Sequence, residues 1–147
     1  MITAPFDYHS PKSVTEAVSL LEQYGSNAKI LAGGQSLIPL MKLRLAEPEI
    51  LVDLADIPSM SYIREKNSGL AIGGMTTYRE IESSGILPKA LSEAAGLVAD
   101  PQVRNRGTIG GSLAHSDPAA DLPAPVIALD GQIIATSKDG DRTISSE

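Results

Sequence analysis

The hydrophobic residues near the start of the chain recur with the period of an α-helix. Apolar positions follow helical spacing over Val14–Leu21. Ser13 and Glu16 have the spacing of a capping box at the front of this pattern, and Gly25 stands where a helix commonly ends. The pattern predicts one helix that ends at Gly25, preceded by an extended segment over Pro5–Pro11.

Two short apolar runs follow this helix and have the length of buried strands. They are Asn27–Ala32 and Ile50–Leu54. Between them, residues 33–36 have the composition of a glycine turn. Leu37–Leu45 is predicted to be helical despite Pro39, which is tolerated only in the first turn of a helix.

We predict that the chain folds as two subdomains with a boundary at Pro58 and Ser59. Residues 1–57 form an N-terminal α/β subdomain, and residues 58–147 form a second α+β subdomain. The second subdomain contains short strands and two helices. The strands are predicted at Tyr62–Glu65, Leu70–Ile72, Gln132–Thr136 and Arg142–Ile144, and the helices at Thr77–Ser84 and Leu87–Val98.

Polar and glycine-bearing segments connect the elements of the second subdomain. Asn67-Ser68-Gly69 and Asp139-Gly140 predict hairpin turns, and Thr77–Glu80 predicts another capping box. Asp100-Pro101 is expected to end the second helix, and a long polar loop is predicted from there to Asp121.

The chain reaches Glu147 in the return strand of the C-terminal hairpin or just after it. A sheet that stops on an unpaired strand is unusual, because its edge exposes backbone hydrogen-bonding groups. We therefore expect the second subdomain to be incomplete and the chain to be part of a longer polypeptide.

Composition narrows the classes of function. Hydrophobic residues make up 42% of the 147 residues, but there is one Phe, four Tyr and no Trp, so the core must consist of Leu, Ile, Val and Ala. The net charge of −6 argues against a nucleic-acid partner. The absence of cysteine excludes disulfides and cysteine-ligated iron–sulfur clusters within this chain. No leader pattern and no membrane span are present, so a cytoplasmic location is expected.

The first glycine loop, residues 32–36, runs from an apolar strand into a predicted helix. Gly33 and Gly34 allow backbone N–H groups to approach an anion closely, and a helix that follows adds a favourable dipole for phosphate. The alternative is a tight strand-to-helix turn with Ser36 as a cap. By itself this segment favours the structural alternative.

The second glycine loop, residues 108–112, follows Arg106 and Gly107 and contains Gly110 and Gly111. Amide and hydroxyl donors with little side-chain bulk suit a pyrophosphate. The spacing matches neither a Walker loop nor the dinucleotide fingerprint. A structural loop explains it equally well.

A third candidate segment contains Asp117 and Asp121, which could accept hydrogen bonds from ligand hydroxyls or could cap helices. His115 could be a base or a flavin attachment point, but a polar contact or a cap is the favoured interpretation. Arg104 and Arg106 could face phosphate or solvent.

These segments together resemble the medium, FAD-binding subunits of the molybdenum hydroxylases, the family of carbon monoxide dehydrogenase and xanthine dehydrogenase. The resemblance rests on the order and spacing of Pro5–Tyr8, Ala32–Leu37, Met41–Arg44, Gly73–Tyr78, Val103–Ser112 and Asp117–Asp121. Gln35 stands where many relatives have histidine, and Ser112 where many have asparagine. Both residues can still form hydrogen bonds.

The resemblance implies a two-subdomain α+β FAD-binding fold of the vanillyl-alcohol-oxidase and molybdopterin dehydrogenase type, here truncated at the C-terminus. It implies no metal ligand and no catalytic side chain, because the flavin carries the chemistry. The implied FAD contacts are the pyrophosphate loops, the flavin neighbour Thr76 and the polar segment with Asp121 at the ribityl chain: Ala32, Gly33, Gly34, Gln35, Ser36, Leu37, Thr76, Thr108, Ile109, Gly110, Gly111, Ser112, Asp117 and Asp121.

The implied function is electron transfer in an oxidoreductase complex. A large subunit would hold the molybdenum cofactor, a small subunit would hold 2Fe–2S clusters, and the FAD of this subunit would pass electrons to an external acceptor. Two alternatives remain open: a nucleotide-binding or interaction module that no longer retains flavin, and a stand-alone NADPH-dependent flavin reductase of the same fold.

Overall fold

The computed structural model describes residues 2–67 and 69–146. Within these ranges the chain forms seven strands and seven α-helices. In chain order they are β1 (Asp7–His9), α1 (Val14–Tyr24), β2 (Ala28–Leu31), α2 (Leu37–Lys42), β3 (Ile50–Asp53), β4 (Ile63–Lys66), β5 (Gly69–Ile72), α3 (Tyr78–Glu82), α4 (Lys89–Leu97), α5 (Pro101–Arg104), α6 (Ile109–His115), α7 (Pro123–Ala128), β6 (Gln132–Ser137) and β7 (Gly140–Ser145).

The first part of the chain is built on a parallel sheet of three strands in the order β1-β3-β2. The central strand β3 is buried along its whole length. Val52 belongs to a core cluster that includes Ala17 of α1, whereas Leu51 packs with Met41 of α2. Successive side chains of a strand point to opposite faces, so the two helices cover opposite faces of the sheet.

The helices after β5 form a separate core. Ile81 of α3 and Ala95 of α4 are fully buried, and they share a cluster with Ile109 of α6 and Leu122. Since α6 starts at Ile109, this cluster fixes the start of α6 against α3 and α4. The aliphatic composition of the core agrees with the sequence expectation.

Most of the predicted elements are confirmed, with small changes at their ends. The extended entry segment contributes β1, and α2 ends at Lys42 rather than Leu45. At α1, the Ser13 hydroxyl accepts a hydrogen bond from the Glu16 N–H, but the Glu16 carboxylate accepts from the N–H of Lys12 instead of Ser13. The Thr77 capping box is complete.

The predicted long polar loop is wrong, because α5 and α6 lie within it. The Asp100 carboxylate accepts hydrogen bonds from the N–H groups of Gln102 and Val103, and Pro101 follows it in the first turn of α5, a favourable place for proline. Thr108 caps α6 in the same way by accepting from the Gly111 N–H. Short capped helices of this kind have too few residues for a periodic apolar pattern, so the sequence did not show them.

The C-terminal hairpin of β6 and β7 agrees with the prediction. Gly140 has a φ of +113°, which explains a glycine in this turn. The tip of the hairpin returns to the first part of the chain, where Lys138 forms an ion pair with Glu22 of α1 at 3.2 Å. The other predicted turn, Asn67-Ser68-Gly69, includes Ser68, which lies outside the described residues; β4 and β5 on either side are confirmed.

Candidate functional site

The first glycine loop lies directly against the backbone that leads into the second. A Cβ atom added at Gly33 would lie 2.2 Å from the Arg106 carbonyl oxygen and 2.8 Å from the Gly107 Cα. Gly34 has a φ of +76°, and a Cβ there would meet the Ile38 side chain at 2.7 Å. Glycine is therefore required by backbone packing at position 33 and favoured by the positive φ at position 34, whatever the loop binds.

The backbone donors of the first glycine loop are unpaired. Among the described residues, the N–H groups of Gly33, Gly34, Gln35, Ser36 and Leu37 donate no hydrogen bond to the protein. Ser36 precedes α2, and its side chain forms no capping bond. Consecutive free N–H groups form a surface that can bind the oxygen atoms of an anion.

The second glycine loop has the opposite property. The N–H of Ile109 donates to the Thr76 carbonyl at 3.0 Å, and that of Gly110 donates to the Gly74 carbonyl at 2.9 Å. The N–H groups of Gly111 and Ser112 donate to the Thr108 hydroxyl and carbonyl. The expectation that these four amides are available to a ligand is therefore wrong, because they stabilise the start of α6 and its contact with residues 74–76.

A third pair of glycines explains why the second glycine loop packs so closely. A Cβ at Gly110 would lie 2.5 Å from the Gly74 carbonyl oxygen, and a Cβ at Gly73 would lie 2.2 Å from the Met60 carbonyl oxygen. Thr76 is 1% exposed, and its hydroxyl both accepts from and donates to the backbone of Tyr62. Thr76 therefore stabilises this contact, and its hydroxyl, which is buried and has already donated its only hydrogen, is not presented to a ligand.

A cavity of about 210 Å³ opens beside the junction of the two loops. Of its polar lining residues, Arg106 and Thr108 were predicted near a ligand and Thr77 was predicted only as a helix cap, whereas Ser61 and Asn105 had no predicted role. The lining residues are Ala32, Ala55, Ile57, Pro58, Ser61, Met75, Thr77, Asn105, Arg106 and Thr108. Asn105 and Arg106 could have been suggested by their position before Gly107, whereas the fold alone brings Ser61 here, through a 3₁₀ turn at Pro58–Met60.

The two arginines near the second glycine loop have different roles. Arg104 is turned inward, where its guanidinium donates to the Val98 carbonyl at 3.0 Å and lies 3.3 Å from the Glu82 carboxylate. Neither of the roles considered for Arg104, phosphate binding or solvation, is correct. Arg106 is exposed at the cavity and forms no ion pair among the described residues, so its charge is available to a ligand.

The third candidate segment is less closely joined to the loops. Asp117 accepts a hydrogen bond from the Ala119 N–H in a local turn, and Asp121 caps no helix, since Leu122 holds that position at α7 without a side-chain bond. Burial and the charge of Asp121 raise the pKa of Tyr78, while hydrogen bonding with Ser112 lowers it. Asp121 and Ser112 therefore both lie near the Tyr78 hydroxyl.

His115 is the last residue of α6 and is exposed. Nowhere in residues 2–67 and 69–146 do three or more His, Cys, Asp or Glu side chains come together as a group that could hold a metal ion. In the same ranges, no helix has the length and apolar character needed to cross a membrane.

The structure thus joins most of the predicted site residues but not all of them. Ala32 and Gly33 contact the second glycine loop and the residues just before it. The Thr76 carbonyl accepts a hydrogen bond from the N–H of Ile109 in that loop. Gln35 and Ser36 are exposed beside them, and Leu37 packs against the core cluster that contains Met41. Asp117 forms no hydrogen bond with either loop among the described residues.

Residues 4–147 match the model of the family described as FAD binding domain in molybdopterin dehydrogenase. The chain is 51% identical to the carbon monoxide dehydrogenase medium chain of Hydrogenophaga pseudoflava, over 100% of this chain and 52% of that protein. It is 46% identical to the 6-hydroxypseudooxynicotine dehydrogenase complex subunit alpha of Paenarthrobacter nicotinovorans, over 95% of this chain and 48% of that protein.

A solved structure is similarly close. Carbon monoxide dehydrogenase from Hydrogenophaga pseudoflava, in a form that lacks the Mo-pyranopterin moiety of the molybdenum cofactor, matches with a TM-score of 0.95 and 52% identity, covering 99% of this chain and 52% of that chain. The chain therefore belongs to the FAD-binding domain family of the molybdopterin dehydrogenases. It spans about half the length of the curated relatives it matches.

These matches confirm three expectations from the sequence. The fold is the α+β FAD-binding fold of this family, and FAD is the cofactor of the family. The homologues are subunits of oxidoreductase complexes, as the names medium chain and complex subunit state.

Proposed function

We propose that this chain holds the FAD of a molybdenum hydroxylase and that the pyrophosphate lies on the first glycine loop. The supporting observation is the run of five unpaired backbone N–H groups at residues 33–37. A pyrophosphate carries the negative charge and the oxygen acceptors that such a run can bind. The small side chains of the loop leave room for a close approach.

The remaining parts of the site would contribute in different ways. Arg106 would add a positive charge at the edge of the cavity. The second glycine loop would contact FAD through the Ser112 hydroxyl and through its glycines, whose lack of side chains permits a close approach, and its paired N–H groups would not take part. Asp121 would accept hydrogen bonds from the ribityl hydroxyls. The proposed FAD contacts are Ala32, Gly33, Gly34, Gln35, Ser36, Leu37, Thr108, Ile109, Gly110, Gly111, Ser112 and Asp121, with Thr76 as internal support and Asp117 at the periphery.

When bound, FAD would carry electrons from the iron–sulfur clusters of a small subunit to an external acceptor. Those clusters would receive their electrons from the molybdenum of a large subunit. The side chains of this chain would bind and orient the cofactor. The flavin itself would perform the redox chemistry, so no catalytic side chain is assigned. Two adjacent subdomains, residues 1–57 and 58–147, would hold the cofactor between them.

The test is retention of FAD by the purified chain. After incubation with FAD and gel filtration, the visible absorption of flavin should co-elute with the protein. If neither this chain nor a polypeptide extended to the length of its relatives retains flavin, the proposed function is wrong. Retention only by the extended polypeptide would show that the site needs residues beyond Glu147.

A matched pair of variants tests the placement of the pyrophosphate. Arg106→Gln should weaken FAD binding by roughly tenfold or more, because a charged hydrogen bond contributes about 1.5–3 kcal/mol. Arg142→Gln removes the same charge from exposed strand β7 and should leave the affinity unchanged. Equal affinities for the two variants would contradict a phosphate at Arg106.

A further inference from the structure

One carboxylate beside the cavity collects several hydrogen bonds. Glu80 of α3 accepts from the N–H of Thr77 and from the Thr77 hydroxyl, both at 2.7 Å. It also accepts from the Ser61 hydroxyl at 3.1 Å. Thr77 and Ser61 both line the cavity, and Glu80, which is exposed to solvent, is hydrogen-bonded to both of them.

The direction of these bonds is fixed by chemistry. An ionised carboxylate has no proton, so each hydroxyl that bonds to Glu80 must donate its only hydrogen to it. The Thr77 hydroxyl also accepts from the Glu80 N–H at 3.2 Å, which leaves it one lone pair. The Ser61 hydroxyl keeps two. Neither hydroxyl can donate a hydrogen bond into the cavity.

We propose that Glu80 is a positioning residue that makes this wall of the cavity an acceptor surface, so that it binds N–H or O–H donors of FAD and excludes its phosphates. The proposal rests on the proposed function and assigns the two ends of the site different chemistry. Phosphate oxygens belong on the free amides of residues 33–37 and on Arg106, whereas the base edges and hydroxyls of the dinucleotide belong at Ser61 and Thr77.

The ionisation of Glu80 supports this arrangement. Burial raises the pKa of Glu80 and is the largest single influence, but the hydrogen bonds from the Thr77 backbone, the Thr77 hydroxyl and Ser61 together lower it below the ordinary value. Glu80 therefore remains charged at neutral pH. The negative charge also repels phosphate from this wall.

A capping box alone would explain only part of the pattern. The reciprocal bonds between Thr77 and Glu80 stabilise the start of α3 and require no contact with Ser61. Ser61 lies nineteen residues earlier in the chain. The two roles can therefore be separated, because glutamine also serves in a capping box and Ser61→Ala leaves the box intact.

The first experiment compares wild type with Glu80→Gln for two probes, FAD and inorganic pyrophosphate. The amide group of glutamine can donate to Ser61, which frees the serine proton, and the substitution removes a negative charge. FAD should bind about three- to tenfold more weakly and pyrophosphate more tightly by a similar factor. A merely structural role would change both affinities in the same direction, and that outcome, or no change in either, would overturn the proposal.

The second experiment needs no FAD. Carboxyl NMR of the whole chain should show that Glu80 titrates below an ordinary glutamate and that Ser61→Ala raises its pKa. Ser92→Ala is the control, since the Ser92 hydroxyl donates to the Lys89 carbonyl in α4. If neither this chain nor the extended polypeptide retains FAD, the proposed function fails, whereas the titration tests the inference separately: a pKa of Glu80 that does not respond to Ser61→Ala overturns it.

Discussion

The two glycine loops share the same sequence signal but use it in opposite ways. In the first glycine loop, glycine lets the backbone turn with its N–H groups unpaired over residues 33–37. In the second, the N–H groups of Ile109 and Gly110 are bonded to the carbonyls of Thr76 and Gly74, and glycine permits the close contact. The comparison shows that a glycine pair indicates either an exposed anion site or a crowded backbone junction, and the backbone segment packed against the pair decides which.

The two glycine loops therefore have different roles in the proposed site: the second is structural and the first binds the ligand. The second glycine loop and the residues around Gly74 form a rigid support, joined by the bridge between Thr77 and Thr108. The first glycine loop rests on that support through Gly33 and Arg106. A substitution at Gly110 in the second loop should therefore affect stability before binding, whereas removal of the exposed Ser36 side chain in the first loop should affect binding before stability.

The largest effect is expected for Gly110→Ala. The added Cβ would lie 2.5 Å from a backbone carbonyl, which cannot move as a flexible side chain would, so the free energy of unfolding should fall by about 1–3 kcal/mol without FAD. Urea denaturation measures this change. Gly85→Ala is the control, because nothing lies within 4 Å of a Cβ there, and it should be neutral or slightly stabilising. Equal stabilities of the two variants would show that the second loop is not a packed junction.

Hydrogen exchange separates the loops without any substitution. The amides of Gly33–Leu37 should exchange freely, while those of Ile109 and Gly110 should be at least about tenfold slower, because bonded amides exchange only after local opening. FAD should slow exchange in the first set. Protection of residues 33–37 without ligand would contradict the unpaired donors.

Removing one hydroxyl from each loop, at Ser36 or at Ser112, should have smaller effects than the glycine substitution. Ser36→Ala should change the free energy of unfolding by no more than about 0.5 kcal/mol, since this side chain makes no capping bond, and should weaken FAD binding severalfold. Ser112→Ala should raise the pKa of Tyr78 further, because the hydrogen bond with Ser112 lowers it. NMR titration of the Tyr78 ring checks this result; an unchanged pKa would mean that the two side chains do not interact.

The smallest expected effect is the pH dependence of stability that Glu80 contributes at the cavity wall formed by Ser61 and Thr77. The pKa of Glu80 is lower in the folded protein than its ordinary value of 4.5, so its stabilising contribution is present above that value and is lost as pH falls through the folded pKa. Wild type should therefore exceed Glu80→Gln in stability by no more than about 1 kcal/mol at neutral pH, and the difference should vanish in acid. Denaturation at several pH values measures it, and a difference that grows in acid would show the wrong sign.

Much of the fold could be predicted from local patterns. The helix at Val14–Tyr24, the buried strand at Ile50–Asp53 and the hairpin around Gly140 follow from periodicity, apolar runs and turn residues. The helices α5 and α6 could not be predicted, because they are short and depend on caps and on packing against α3 and α4. The inward orientation of Arg104 could not be predicted either, because its partners, the Val98 carbonyl and the Glu82 carboxylate, reach it only in the folded chain.

By itself the sequence determined the α+β class, the family, and where backbone could come close to a ligand, because glycine spacing and ordered motifs are local properties of the chain. Only the tertiary structure decided which glycine loop keeps free donors and which uses them, since pairing of an N–H depends on a carbonyl far away in sequence. It also brought Ser61 next to Thr77 and Glu80, and with them the polarity of the cavity wall. Hydrogen-bond direction is a property of such assembled groups, so no single segment could have shown it.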